Sequence, residues 1–349
     1  MKKILNLTKS FCLVTIILLF ACSQRIYKVA YPTLNDGKYD SEFPYKSCSS
    51  ELKKITETVR KVFCKVRYKN HIFAYDRKVT RQSLTKRVLQ QAEDVVYFHR
   101  TVAGTGTVIF NKNLKVAILT CAHIFVKPDT LFTYFESGGF GGKRFIQSIA
   151  IKEVQENLVA DFPEGGNCEI LLIEKVGDIA ILSKEFTKPP KFNIPVFNYP
   201  FGKARELEWG SFVYLLGFPK GYKIITKGIV SNPDRDRKGS FLIDALFNTG
   251  MSGGILLAIR DGVPNFEVVG ITTSAAAEYA TVLVPERQIH NYDESIPYSG
   301  DIFVANKKNI NYGITRAISS EAILNLLKKN KNLLRKKGFD FEELWAVHE

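Results

Sequence analysis

Ser252 stands in the run Gly250-Met251-Ser252-Gly253-Gly254. A serine hydroxyl is a weak nucleophile. One that does chemistry needs a base beside it and hydrogen-bond donors for the oxyanion that its attack creates. Glycines on both sides let the backbone turn sharply and bring N–H groups against a reacting carbonyl. Two other stretches carry complementary residue types. His123 follows the apolar run Leu119-Thr120-Cys121-Ala122, and Asp178 opens Asp178-Ile179-Ala180-Ile181-Leu182 after Gly177. Taken singly these are a Gly-rich turn, a strand-end histidine and a turn aspartate. Together they supply nucleophile, general base and base-orienting carboxylate, in the chain order His, Asp, Ser.

The surrounding pattern is one of short strands separated by turn residues. Thr105–Phe110 and Lys115–Thr120 flank Asn111-Lys112-Asn113 and predict a β-hairpin. Ile170–Ile173, Asp178–Leu182, Ser211–Gly217, Ile224–Val230, Phe241–Ala245, Ile255–Ile259, Phe266–Thr273 and Ala280–Val284 also read as strands. Such a series indicates an all-β barrel or sandwich. The proline-rich stretch Glu185–Ala204 reads as a connector between two lobes. Leu52–Val62 has helical spacing and Val62–Tyr75 reads as one or two strands. Arg81–Asp94 reads as a short helix or polar insertion, and Ser319–Lys336 as a terminal helix. The Gly-rich Ser137–Gly142 lacks the Lys-Ser/Thr and helix of a phosphate loop and reads as a surface loop.

These blocks resemble the trypsin-like serine proteases of the chymotrypsin fold, and among them the HtrA/DegP type. Thr105–Ile109 with Leu119–His123 is similar to the family's GSGxxI…LTNxH block, and Gly177–Leu182 to its DIAVL block. Gly210–Pro219 with Thr226–Ser231 is similar to its GxxVxAIGNP…TxGIVS region. Asp244–Gly254 is similar to DAxxNxGNSGGP, and Val268–Ile271 to the strand after it. The resemblance covers roughly residues 100 to 320. It implies a two-lobed double β-barrel, about 60–188 and 200–318, within a protease domain of 53–320. A helical or extended N-terminal extension would precede it, and a C-terminal helix over 321–349 would follow. It implies serine endopeptidase activity on polypeptides, with Ser252 as nucleophile, His123 as base and Asp178 orienting the imidazole. The N–H groups of Gly250 and Ser252 would form the oxyanion hole. Thr272, Thr273 and Ser274 would pair with substrate as an added strand, and Leu246 would lie near the floor of the primary specificity pocket, favouring apolar side chains. No cofactor is implied.

The chain departs from the family pattern at Met251, where Asn or Asp is usual, and at Ile255, where Pro is usual. Neither change removes a catalytic atom, but without the Asp, activation by a freed N-terminus is not expected. The 30 residues after Ser319 are too few for a peptide-binding PDZ domain, so activation through one is not expected either. Two rival readings remain. GMSGG also fits the nucleophile elbow of α/β-hydrolases, with Asp301 and His348 following it, but the residues after Ser252 read as strands rather than a helix. A non-enzymatic or latent binding protein on the protease fold is the second.

The first 21 residues read as an export signal. Lys2, Lys3 and Lys9 precede the apolar run Phe11–Ala21, which is too short for a spanning helix. Leu19-Phe20-Ala21-Cys22 resembles a bacterial lipobox, which implies acylation of Cys22, membrane anchoring, and residues 22–52 as a polar tether. Ser23, rather than Asp, after the cysteine suggests an outer-membrane destination in a host with two membranes. The net charge of +14 comes without an arginine stripe or nucleic-acid motif, so no nucleic-acid partner is expected. Cys48, Cys64, Cys121 and Cys168 show no metal spacing, so no metal site is expected. Neither disulfide pairing nor oligomeric state is legible.

Overall fold

The computed structural model describes residues 34–135, 144–233, 236, 239–285, 295 and 297–345. The signal segment, Cys22, the Ser137–Gly142 loop and His348 lie outside the described residues. Among the described residues thirteen strands form two sheets. β1 (Val59–Ile72), β2 (Asp94–Lys112), β3 (Lys115–Cys121), β4 (Thr130–Tyr134), β5 (Ile146–Val159), β6 (Glu169–Glu174) and β7 (Ile179–Glu185) make the first, in the order β4-β5-β1-β2-β3-β7-β6. An isolated bridge from Leu158 to Asn167 joins the end of β5 to the start of β6. The Cys168 N–H adds a bond to the Asn157 carbonyl (2.7 Å). The sheet thereby rolls into a barrel-like lobe with β4 outside it. β8 (Phe212–Gly217), β9 (Ile224–Asn232), β10 (Ser240–Ile243), β11 (Ile255–Ile259), β12 (Phe266–Pro285) and β13 (Ile302–Ser319) close into the second barrel, β10-β13-β12-β11-β8-β9. The all-β, two-lobed architecture expected from the sequence is present.

Local chemistry explains the boundaries. The β2–β3 turn is made by Asn113 and Leu114, both at positive φ (53° and 63°), as a tight hairpin turn of right-handed strands requires. The spacing of Leu52, Ile55, Val59 and Val62 does not belong to one helix. Helix α1 is Ser49–Thr56, and Val59 already starts β1. All four side chains are buried, so a helix and a strand facing the same core produce what reads as a single helical stripe. Lys86–Gln90 is a short helix, α2, capped by the Thr85 hydroxyl.

The two lobes share apolar material. One cluster runs from Val62, Val108 and Leu119 through Phe197 and Phe201 of the connector to Leu257 and Ile271 of the second barrel. The connector is therefore packed, and its Phe197 N–H bonds the Val108 carbonyl at 2.8 Å. The C-terminal helix expected over 321–349 is, among the described residues, three short helices, Ser320–Lys329, Lys331–Lys336 and Glu342–Trp345, the first two broken at Asn330. The stretch read as a tether is, from Lys38 onward, docked on the second barrel. Asp40 bonds the Ile259 carbonyl through its N–H (2.9 Å), and its own carbonyl accepts from Phe212 (2.8 Å). Among the described residues no helix is long and apolar enough to cross a membrane.

Candidate active site

His123 sits on α3 (Ala122–Phe125), the single helical turn that follows β3. Asp178 occupies the turn before β7 at φ +58°, a conformation that Asp tolerates better than most residues. Pairing of Cys121 with Ile179 brings the two strand ends together. The Asp178 carboxylate then accepts twice from His123, from the backbone N–H and at ring Nδ1, each at 2.8 Å. This fixes both the ring's orientation and the nitrogen left facing the cleft, so that Nε2 can take a proton. The Glu174 carboxylate braces the turn from below by accepting from the Val176 and Gly177 N–H groups.

The Ser252 loop comes from the other barrel, between β10 and β11. Its carbonyls are all turned outward. Thr249 accepts from Lys220 N–H (2.8 Å) and Gly250 from the Thr105 hydroxyl (2.7 Å). Met251 accepts from Gly254 N–H (2.8 Å) and the Thr272 hydroxyl (3.0 Å), and Ser252 from Thr105 N–H (2.7 Å). In a planar trans peptide the N–H points opposite to the C=O. The N–H groups of Gly250 and Ser252 are thereby aimed away from these partners, and neither donates to another described residue. Both residues line the cleft, so the pair has the form of an oxyanion hole. Gly250 has φ +103°, and a Cβ there would fall 2.3 Å from the Phe218 carbonyl oxygen, so only glycine fits. Met251 points the other way and is fully buried in the core of the second barrel. Where the resemblance leads one to expect a polar side chain, the loop is held by an apolar anchor.

The cleft between the lobes, about 320 Å³, is lined by His123, Asp178, Gly250 and Ser252, with Phe247, Thr249 and Thr273–Ala275 among the other lining residues. A larger hollow of about 480 Å³ beside Lys115, Lys184, Glu185 and Phe339 is also lined by Cys168 and Ser183, and there the Cys168 thiol is buried and donates to the Gly166 carbonyl (3.4 Å). The Ser252 hydroxyl donates to the Thr273 carbonyl at 3.1 Å and makes no hydrogen bond to His123. Leu246 does not line the cleft. It is 58% exposed, while its neighbour Phe247 lines the wall. Thr272 is fully buried, with its N–H and carbonyl taken by Gly254 and Gly253, which leaves Thr273–Ala275 to face the cleft. Ala275, Lys308 and Ile310 were not foreseen as lining residues. Lys308 and Ile310 lie in β13, which the sequence pattern did not reveal.

Residues 104–271 match the family model described as a trypsin-like peptidase domain. The matched span contains His123, Asp178, Gly250 and Ser252, and it ends before most of the β12–β13 hairpin. No curated protein matches the chain. Among solved structures, the serine endoprotease from Yersinia pestis is similar at 18% identity, covering 82% of this chain and 67% of that one, with a TM-score of 0.41. Within the matched span, the Cys121 sulfur with His123 and Asp178 presents three potential ligand atoms within 4.8 Å of one another. The thiol is fully enclosed, and burial first, then the Asp178 charge, holds its pKa well above the ordinary range. The thiol donates to the Thr272 carbonyl (3.3 Å), as a buried cysteine with a weak S–H donor does. The four described cysteines outside the signal segment are all buried and free.

Proposed function

We propose that the protein is a serine endopeptidase that cleaves polypeptides through an acyl-enzyme on Ser252. The observation that carries this is the outward hydrogen bonding of every carbonyl from Thr249 to Ser252. It aims two N–H donors into the cleft that holds the His123–Asp178 pair. Ser252 Oγ attacks the scissile carbonyl carbon while His123 Nε2 takes its proton. The carbonyl oxygen gains negative charge between the Gly250 and Ser252 N–H groups. His123 then returns the proton to the leaving amine, and water repeats the sequence to free the acid. Asp178 stays ionised and stabilises the imidazolium.

The bond from Ser252 to the Thr273 carbonyl favours a resting form within this reading. A substrate N–H that takes the Thr273 carbonyl releases Oγ, and rotation about χ1 turns it toward His123. A latent or purely binding role on the same fold is the alternative. Export and acylation at Cys22, with work at the cell envelope, complete the proposal and rest on the sequence of residues 1–23.

Fluorophosphonate labelling of the chain from residue 23 onward decides between the readings. Labelling is expected in the wild type and lost, by roughly 1,000-fold or more in rate, in Ser252→Ala and His123→Ala. An unlabelled wild type across a range of pH would mean a latent or purely binding protein. Metabolic incorporation of an alkynyl fatty acid into the full chain, abolished by Cys22→Ser, is expected from the anchor. Equal incorporation in both would remove it.

A further inference from the structure

The β12–β13 hairpin continues well beyond the barrel. β12 pairs with β11 only as far as Ile271, and Thr272 closes that edge through Gly253 and Gly254. From Thr273 to Pro285 the edge has no strand partner among the described residues. The other edge stays paired with β13 out to Pro285 opposite Ile302. At the base of this arm the register jumps. Ala275 faces Thr315 and Ala277 faces Ile310, with Gly313 at φ +84° in the looped-out part.

Ile310 and Lys308 line the catalytic cleft. Strand alternation puts Asn306, Val304 and Ile302 on that same face. The register sets Tyr279 opposite Lys308, Leu283 opposite Val304 and Pro285 opposite Ile302. The cleft wall therefore continues outward as a mixed face, on which Lys308 and the hydrogen-bonded Thr281–Asn306 pair separate the cleft from an apolar cluster at the far end. Tyr279, Leu283 and Val304 are about 70% exposed and Ile302 57%. A two-stranded ribbon is at best marginally stable in water, an open edge offers unpaired N–H and C=O groups, and exposed apolar side chains grouped as Leu283, Val304 and Ile302 are mark an interaction surface.

We propose that this arm is an extended docking track for the part of a polypeptide substrate that precedes the scissile bond, bound as a third strand on the free edge of β12. The inference rests on the endopeptidase reading. Its direction follows from the site. The residue whose carbonyl reaches Ser252 Oγ has its own N–H within reach of the Thr273 carbonyl, which lies 3.1 Å from that oxygen. Inward from there the Thr272 groups are occupied, so the substrate chain runs outward and antiparallel to β12. Ten further residues, Ala276–Pro285, offer a track of roughly 33 Å at about 3.3 Å per residue. Every second substrate side chain lies over the Tyr279–Leu283–Val304 face, so the occupant is an extended segment with apolar or aromatic residues at alternate positions.

The test compares a short tripeptide substrate with the same peptide extended N-terminally by eight residues alternating Val or Tyr with Ser or Thr. Both are assayed on the wild type and on the surface variant Tyr279→Ser/Leu283→Ser/Val304→Thr. Cross-strand pairs summed over four positions predict that the extension raises kcat/KM by about 10- to 100-fold in the wild type and not in the variant. Turnover of the short substrate and fluorophosphonate labelling are expected to be equal in the two proteins. A gain that is absent, or that survives in the variant, overturns the proposal. So does light scattering that finds a wild-type dimer and a monomeric variant, with no difference in cleavage, because the face is then covered by a second copy. Fluorescence anisotropy of the labelled extended peptide reads docking without turnover. Binding lost in the variant supports the track even if no peptide is cleaved, and only the endopeptidase reading then falls.

Discussion

The two halves of β12 have opposite surroundings. From Phe266 to Thr273 all residues but the half-buried Glu267 are buried, and from Ser274 to Pro285 none is. The inner half is held on both edges, by β11 and β13. At its start the hairpin turn is clamped by the N-terminal segment. Tyr39 bridges Arg260 and its hydroxyl donates to Glu267 (2.6 Å), Arg260 pairs with Glu206 and Glu267, and the Asp40 carboxylate accepts from Gly262. Among the described residues the outer half has one partner strand, and only Ala275 at its base packs against the barrel core. The Ser252 loop rests on the fixed half, through Thr272 and Met251, and the proposed substrate track on the free one. The contrast suggests a division of labour. Donors aimed at an oxyanion must already be in place when charge develops, whereas a surface that accepts an added strand must leave one edge unpaired.

Replacing Met251 attacks the fixed half most directly. Its side chain fills the second barrel core, with its sulfur close against Gly217. Met251→Ala is expected to lower stability by about 2–5 kcal/mol, the range for truncating a buried methionine. It should also slow fluorophosphonate labelling, because the same residue's carbonyl aims the Ser252 N–H. Met251→Leu keeps the volume and should cost less than about 1.5 kcal/mol. Urea denaturation of the three proteins measures this. An Ala variant within about 1 kcal/mol of the wild type would show that hydrogen bonding alone holds the loop.

The same contrast explains what was legible in the sequence. The inner half of β12, with β11, β3 and β7, reads as strand because its residues face a core and are apolar, and the His, Asp and Ser blocks lie at the ends of such strands; Ala280–Val284 in the outer half also reads as strand, from its Val and Leu residues rather than from a core. β13 went unread. Its sequence from Asn306 to Asn311 is Asn-Lys-Lys-Asn-Ile-Asn, which carries turn-like residues because that half of the strand faces water. β5 was missed for a similar reason, since Lys152, Glu153 and Glu156 interrupt its apolar positions. The resemblance places Leu246 at the pocket floor by its position in the family's block. Position in a block does not fix which of two adjacent side chains faces inward, and here Phe247 does. The docking of residues 38–48 was also hidden, because backbone hydrogen bonds and a buried carboxylate leave no apolar period.

That carboxylate gives the smallest expected effect and a direct view of the clamp. Asp40 is buried, and burial first, then the charges of Glu42, Asp261 and Asp36, raise its pKa to about 6, against the opposing effect of the Gly262 N–H. The folded protein therefore binds this proton more tightly than the unfolded chain, whose value is near 3.8. Between about pH 4 and pH 6 the folded state carries more protons than the unfolded one, so stability falls as pH rises. The stabilising contribution is complete below about pH 4 and gone above about pH 6. Asp40→Asn keeps an oxygen acceptor for Gly262 but carries no charge. It is expected to exceed the wild type at pH 8 by up to about 3 kcal/mol, since each pKa unit corresponds to about 1.4 kcal/mol. The advantage should shrink through the window and vanish near pH 4. Denaturation midpoints of the two proteins from pH 4 to pH 8 measure it. A difference that stays constant with pH would mean that Asp40 is ionised at the usual carboxylate value, and that the clamp on the inner half of β12 is held by the Arg260 pairs instead.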